Sequence, residues 1–306
     1  MLSHYHTEFD VENENNSHSA MLRMVGFNKR VLEAGCASGH VSEKLSAQGC
    51  TVVGVEIDGS VVEPATKWLE RVVIGSFDDE SLWHDLEGES FDVILFGDVL
   101  EHLKDPLFTL RESVKLLRPA GTVVISVPNI AHADVKIALI NGHFPYKDDG
   151  LLDRTHISFF TKESLLRLVR EAGLIEVEIF RVTVPVFHTE LGVEKGDVDD
   201  QVLEALLEER ESETYQFVVK AVRDDGARSL ATLADDLVAL TDKLHDEARK
   251  NQLLESKLDG LEEKVEAMAI QRAADMKDLE HYRHQTDLVK RFLPMSLLQL
   301  IRRRTR

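Results

Sequence analysis

The sequence predicts a doubly wound α/β sheet, followed by a helical segment and a short basic tail. Three observations carry this. Between Arg30 and Asp58 the chain reads strand, glycine turn, helix, strand and acidic residue. Two further apolar runs, residues 91–96 and 122–127, recur with an amphipathic helical pattern between them, as a parallel sheet with crossover helices requires. From Leu230 the apolar residues fall at alternating spacings of three and four, which is a heptad pattern.

The elements follow in order. Asn15 to Ser19 supply a helix cap, and Ser19 to Val25 a short helix. Val31 and Leu32 belong to a buried first strand. Gly35 and Gly39 punctuate a turn, and Val41 and Leu45 mark one helix face, with Gly49 placed to stop it. Residues 51–55 are β-branched and apolar, as a strand covered on both faces should be. A helix over 60–70 and a third strand over 71–74 come next, then Gly75-Ser76-Phe77-Asp78. The fourth strand, 91–96, runs into Gly97-Asp98-Val99-Leu100-Glu101-His102. A helix over 106–117 leads through Leu117-Arg118-Pro119-Ala120-Gly121 into strand five.

Residues 129–160 are the least regular stretch of the first half, with a helical pattern only over 131–140. Thr161 to Ser164 open a helix that stops at Gly173. A sixth strand over 175–184, an acidic excursion with one helix over 194–213, and a seventh strand over 214–222 complete the sheet. The seventh is expected antiparallel to the sixth. The first domain therefore spans residues 1–223.

Composition narrows the function. The 306 residues carry a net charge of −19, which excludes nucleic acid as the expected partner. No run of 18 apolar residues is present and the first residues lack an apolar core, so neither a membrane span nor a signal peptide is expected. Two cysteines, Cys36 and Cys50, are too few for a disulfide framework and fit a reducing cytoplasm.

The turn between the first strand and helix reads G-C-A-S-G and follows an acidic residue, Glu33. A dinucleotide site wants G-x-G-x-x-G and helix N–H groups free for a pyrophosphate. A carboxylate at Glu33 disfavours a diphosphate and suits a ligand with an amino group. Glu56, at the tip of strand two, is placed to take both hydroxyls of a ribose. This stretch resembles motif I of the class I S-adenosylmethionine-dependent methyltransferases, E/D-x-G-x-G-x-G, with Ala37 in place of the middle glycine. The run FDVILFGDVLEHLKDP similarly resembles that family's strand-four signature.

The resemblance implies a Rossmann-like seven-stranded methyltransferase sheet and S-adenosylmethionine as cofactor. It places the cofactor on Glu33, Gly35, Ala37, Gly39, Glu56, Ile57, Ser76, Phe77, Gly97 and Asp98. The family's usual G-D after strand three is G-S here, so Ser76 or its backbone meets the adenine amino group and Phe77 covers the adenine face. A long segment after strand five sits above the crevice in this family. LLDRTHISFFT within it looks like methyltransferases that act on sugars and bacterial surface glycans, and a methyltransferase followed by a coiled coil resembles enzymes that cap O-polysaccharides. Ubiquinone-type or phenolic O-methyltransferases share the same motifs and stand as the alternative acceptor class. A non-catalytic scaffold and a nicotinamide-binding domain are further alternatives; Glu33 and the missing G-x-x-G disfavour the last.

Methyl transfer to a hydroxyl benefits from a general base, and histidine suits neutral pH. His102, just after strand four, and His156, above the crevice, are the candidates. Asp153 is placed to orient His156 and stabilise its cation. No metal is expected: His281 and His284 are spaced for a helix-face site, but two surface histidines do not make one.

Residues 224–289 form the coiled-coil segment, with Asn251 at an a position where it can fix register, and a homo-oligomer is expected. Residues 290–306 invert the charge: Lys290, Arg291, Arg302, Arg303, Arg304 and Arg306 flank an apolar run with no acid. Such a tail fits either a partner protein, for instance in glycan assembly, or the anionic inner face of a membrane.

Overall fold

The computed structural model describes residues 13–224, together with Arg283 and His284, both helical and exposed. Apart from Asp224 and those two residues the heptad segment lies outside the described residues, as do the basic tail and His281.

Seven strands form a single sheet in the order β3-β2-β1-β4-β5-β7-β6: β1 (Arg30–Ala34), β2 (Thr51–Glu56), β3 (Arg71–Ile74), β4 (Phe91–Gly97), β5 (Leu117–Pro128), β6 (Leu174–Thr183) and β7 (Thr214–Arg223). The first five are parallel. β7 inserts antiparallel between β5 and β6, as expected for β6 and additionally for β5. The winding reverses between β1 and β4, and at such a reversal a crevice opens beyond the carboxyl ends of the strands.

Side-chain alternation covers both faces. Leu32, Ile94, Phe96, Val123, Ile125 and Val219 point into one apolar layer, and Val31, Val52, Val93, Leu95, Val124 and Val218 into the other. Helices α1 (Ser17–Val25) and α2 (His40–Ala47) contribute to the second layer. Short α3 (Glu80–Asp85), α4 (Pro106–Lys115) and α6 (Lys162–Glu171) contribute to the first. Between α4 and α6 in sequence, α5 (Ala133–Ile140) packs with α7 (Asp200–Glu208) in a smaller cluster of its own.

Local chemistry sets the helix starts. Asn16 accepts from the Ser19 N–H at 3.1 Å, and Asp105 accepts from the Phe108 N–H at 2.9 Å with Pro106 in the first turn. Thr161 and Ser164 close a reciprocal capping box on α6.

Three elements differ from expectation. Residues 60–70 form only a 3-10 helix, Glu63–Lys67, where Pro64 permits a tight first turn but supplies no N–H. Strand β5 starts five residues early, at Leu117. Its LRPAG turn lies within the strand as an irregularity, with Ala120 at φ 66°. Helix α3, which the sequence pattern did not single out, starts after Asp79 and buries Leu82.

Candidate active site

At the carboxyl edge, four strand ends come level. Ala34 is in register with Val55 and Phe96, and Glu56 with Ile74. Gly35, Glu56, the Gly75–Ser76 turn and Gly97 therefore lie side by side. The glycine turn folds over this edge with three left-handed residues: Gly35 at φ 68°, Ala37 at φ 42° and Gly39 at φ 86°. A Cβ on Gly39 would come within 2.6 Å of the Ala65 backbone, so only glycine fits there.

Glu56 is almost buried, and each of its carboxylate oxygens is fixed by one backbone amide. Ala37 N–H donates to Oε2 and Asp58 N–H to Oε1, both at 3.0 Å. A carboxylate offers about four acceptor sites, which leaves two for a pair of ribose hydroxyls. Ser38, inside the turn, has a buried hydroxyl with no hydrogen-bond partner among the described residues, and a bound ligand would satisfy it. Ile57 is exposed beside them.

Two expected contacts take another form. Glu33 is buried and accepts from Ser42 Oγ of α2 at 2.5 Å, which ties the first strand to the first helix. Burial pushes its carboxyl up to about 7, against the Ser42 hydrogen bond and with the help of the Glu56 charge. Phe77 does not lie open to an adenine. It is 5% exposed and packs edge-on against Trp83 and Phe96, at 5.6 and 5.5 Å, because the Ser76–Asp79 turn folds it into the core.

Beyond β4 the chain turns through Asp98, at φ 54°, into a 3-10 helix, Leu100–His102. Asp98 accepts from Gln216 Nε2 of β7, and from Ser126 Oγ of β5 at 3.3 Å. Loss of solvent raises its carboxyl to about 6. Glu101 is 1% exposed, and neither carboxylate oxygen has a hydrogen-bond partner among the described residues.

Over this turn sits the segment that follows α5. The Ile157 and Ser158 N–H groups both donate to the Glu101 carbonyl at 2.9 Å, and Ser158 Oγ donates to the Leu103 carbonyl. These bonds bring together His102 and His156, whose rings stand 4.9 Å apart edge to face. The Thr155 carbonyl lies 3.2 Å from His102 Nδ1, which leaves Nε2 as the ring nitrogen with a free lone pair. Burial first, and then the neighbouring His102, lower the pKa of His156. It is therefore neutral near pH 7, as a proton acceptor must be.

Asp153 is close but does not orient His156 by a side-chain hydrogen bond. Its Oδ1 accepts from both the N–H and the Oγ1 of Thr155, at 2.7 and 2.6 Å, so the carboxylate shapes the turn. Its influence on both imidazoles is coulombic. The segment is held from below by Glu190, which accepts from the Leu151 N–H at 2.6 Å and from the Tyr215 hydroxyl at 3.0 Å. Next to His156 an exposed aromatic group gathers: Phe144 lies 5.1 Å from Tyr146 and 6.0 Å from Phe159.

Residues 18–178 match a family described as a methyltransferase domain. The chain belongs to that family. It is an S-adenosylmethionine-dependent methyltransferase of class I, on a Rossmann-like fold. Curated relatives named ubiquinone biosynthesis O-methyltransferase include one from Aromatoleum aromaticum, 31% identical over 158 residues, covering 49% of this chain and 66% of the relative. Another, from Thiobacillus denitrificans, is 30% identical over 164 residues, covering 51% and 68%. The chain thus spans about two thirds of the length of these relatives. A crystal structure of an S-adenosylmethionine-dependent methyltransferase from Archaeoglobus fulgidus superposes with a TM-score of 0.51 at 18% identity, over 69% of this chain and 94% of that one, a likeness of fold.

The crevice of the methyltransferase fits its cofactor. Gly35 and Gly39 give the turn two positions without Cβ, and Glu56 keeps acceptor sites beyond its two backbone hydrogen bonds, which suits a cofactor with a ribose. Ser38 and Glu101 are the residues that sequence reasoning passed over. Ser38 stands inside the quoted turn and Glu101 immediately before the quoted histidine, so both were visible as neighbours but not as unpartnered groups.

Proposed function

We propose that this methyltransferase O-methylates a hydroxyl on a small ring-bearing acceptor of the phenolic or ubiquinone-precursor class. The observation that carries the reading is the His102–His156 pair, set against the turn after β4 and beside the exposed Phe144, Tyr146 and Phe159. Aromatic faces suit a flat ring, and a neutral imidazole suits removal of a hydroxyl proton. The names of the curated relatives support the same class. The sugar or surface-glycan acceptor expected from residues 151–161 has no such support.

Bound S-adenosylmethionine supplies an electrophilic methyl on a cationic sulfur. The chain's own residues hold and prepare the partners. The glycine turn, Ser38 and Glu56 bind and orient the cofactor; Gly97 and Asp98 floor the crevice. The aromatic group positions the acceptor, and His156 takes its proton, with Asp153 stabilising the imidazolium.

The test is methyl transfer from labelled S-adenosylmethionine to a panel of phenols, catechols, nucleotide sugars and lipid-linked glycans, read by mass spectrometry. Methylation of phenolic hydroxyls is expected. Transfer to sugars alone would restore the glycan reading, and transfer to none would leave the scaffold.

A further inference from the structure

We infer that Glu101, His102 and His156 form a binding site for one divalent transition-metal cation. One ligand atom from each of these side chains lies within 4.8 Å of the others. Two imidazoles and a carboxylate are the donor set that favours manganese, iron or zinc over magnesium or calcium.

Three further observations point to a cation. The first is Glu101 itself. A buried carboxyl group with both oxygens unpartnered is unfavourable as an anion until a cation, or failing that a proton, meets it, and a divalent ion is the partner that would use both oxygens. The second is charge. Asp98 and Asp153 both act electrostatically on Glu101, and among the described residues no lysine or arginine forms an ion pair with any of the three. The third is how the imidazoles are held. His102 faces the Thr155 carbonyl through Nδ1 at 3.2 Å, and His156 packs edge to face against it. Metal-binding histidines characteristically give their second ring nitrogen to a carbonyl or carboxylate, which fixes the ring and directs the other nitrogen to the ion.

Bond lengths of about 2.0–2.2 Å place ligand atoms roughly 3–4 Å apart around an ion. Small rotations of the two rings close the remaining gap. Three protein ligands leave positions open on the ion, toward the aromatic group where the proposed acceptor would lie. The site rests on the hydroxyl-transfer reading and changes how the proton leaves: with the ion bound His156 is a ligand and no longer the base, and the cation instead lowers the pKa of a bound hydroxyl so that its proton passes to solvent. Its existence is nevertheless independent of which acceptor is used.

The experiment takes the full-length chain after chelator treatment and titrates it with Mn²⁺, followed by the EPR signal of the free ion, and with Zn²⁺ by calorimetry. One ion per chain is expected. Glu101→Gln, His102→Gln and His156→Gln should each weaken uptake at least tenfold, while S-adenosylmethionine affinity stays within about threefold of wild type and reports an intact fold. The two histidine changes suffice should Glu101→Gln not fold. Absence of stoichiometric uptake of both ions would overturn the site, as would uptake unaltered by the histidine changes. Stoichiometric uptake without transfer to any hydroxyl would keep the site and remove the proposed function. Unchanged transfer to phenols after chelation, with no ion bound, would do the reverse.

Discussion

The two halves of the crevice are built by opposite means. On the cofactor side, residues 33–58 form strand, turn, helix and strand from one short stretch, and most of the contacts that matter connect neighbours in that stretch: Ala37 to Glu56, Ser42 to Glu33, Asp58 to Glu56. On the acceptor side, the turn after β4 is completed by a segment more than 50 residues away, held by backbone carbonyls and by Glu190 and Tyr215. A locally closed site can be read from a motif. A site closed at long range can be read only as a set of unpaired candidates.

If this division is right, changes on each side should alter different observables. The largest effect is expected from His156→Ala, about a hundredfold or more in turnover, the range for a lost proton acceptor, with cofactor affinity nearly unchanged. Steady-state kinetics with a separate binding titration distinguish the two; a parallel loss of affinity would erase the division. Glu56→Ala should do the opposite, weakening S-adenosylmethionine by about 1–3 kcal/mol, as charge-assisted hydrogen bonds are lost.

Glu33 on the cofactor side and Glu211, outside the crevice, should respond oppositely to pH. Glu33 is held up at about 7 by burial. Its raised value contributes stability to the ligand-free protein that is complete below about 4.5, the ordinary value for the group, and is lost as pH rises through about 7. A cationic cofactor favours the ionised form, so binding should tighten as pH rises through about 7 and release a proton. Calorimetry in buffers of different ionisation enthalpy would detect that proton. Glu211, where α7 meets β7, is opposed by burial but held down at about 2 by hydrogen bonds from Arg181, Thr214 and Lys162. Its contribution is present above about 4.5 and is lost as pH falls toward 2. Thermal melts of Glu211→Gln against wild type should converge in acid and separate near neutrality. The smallest effect is expected from Ala37→Gly. Relief of a left-handed alanine should stabilise by up to about 1 kcal/mol, partly offset by unfolded-chain entropy. A fall in melting temperature would mean that the Ala37 methyl packs usefully.

The same division explains what the sequence disclosed. The succession of strands, the caps at Asn16 and Thr161, and the glycine turn ahead of Glu56 rest on local pattern, and these were legible; the order of the strands in the sheet was not. Phe77 was read as a ligand wall because it follows a strand end. Its burial depends on Trp83, which belongs to a short helix that periodicity did not single out. Asp153 was paired with His156 by spacing, whereas the structure gives its oxygen to Thr155, two residues on, a competition that spacing alone does not decide. Glu101 was passed over because a buried carboxylate cannot be told from an exposed one by its letter.

The place of β7 carries a further consequence. Among the described residues β6 pairs with no strand but β7, the edge of β5 facing it also waits for β7, and Gln216 on that strand holds Asp98 in the turn after β4. On a ribosome, which releases about 5–20 residues per second, strands β1 to β5 can join as they emerge, while β6 stays without a neighbour until residues 214–223 are out. The turn after β4 is therefore among the last parts to be secured during synthesis. A nascent chain halted before residue 214 would present two open strand edges, a feature that chaperones and aggregation both recognise, and would lack the Gln216 hydrogen bond to Asp98.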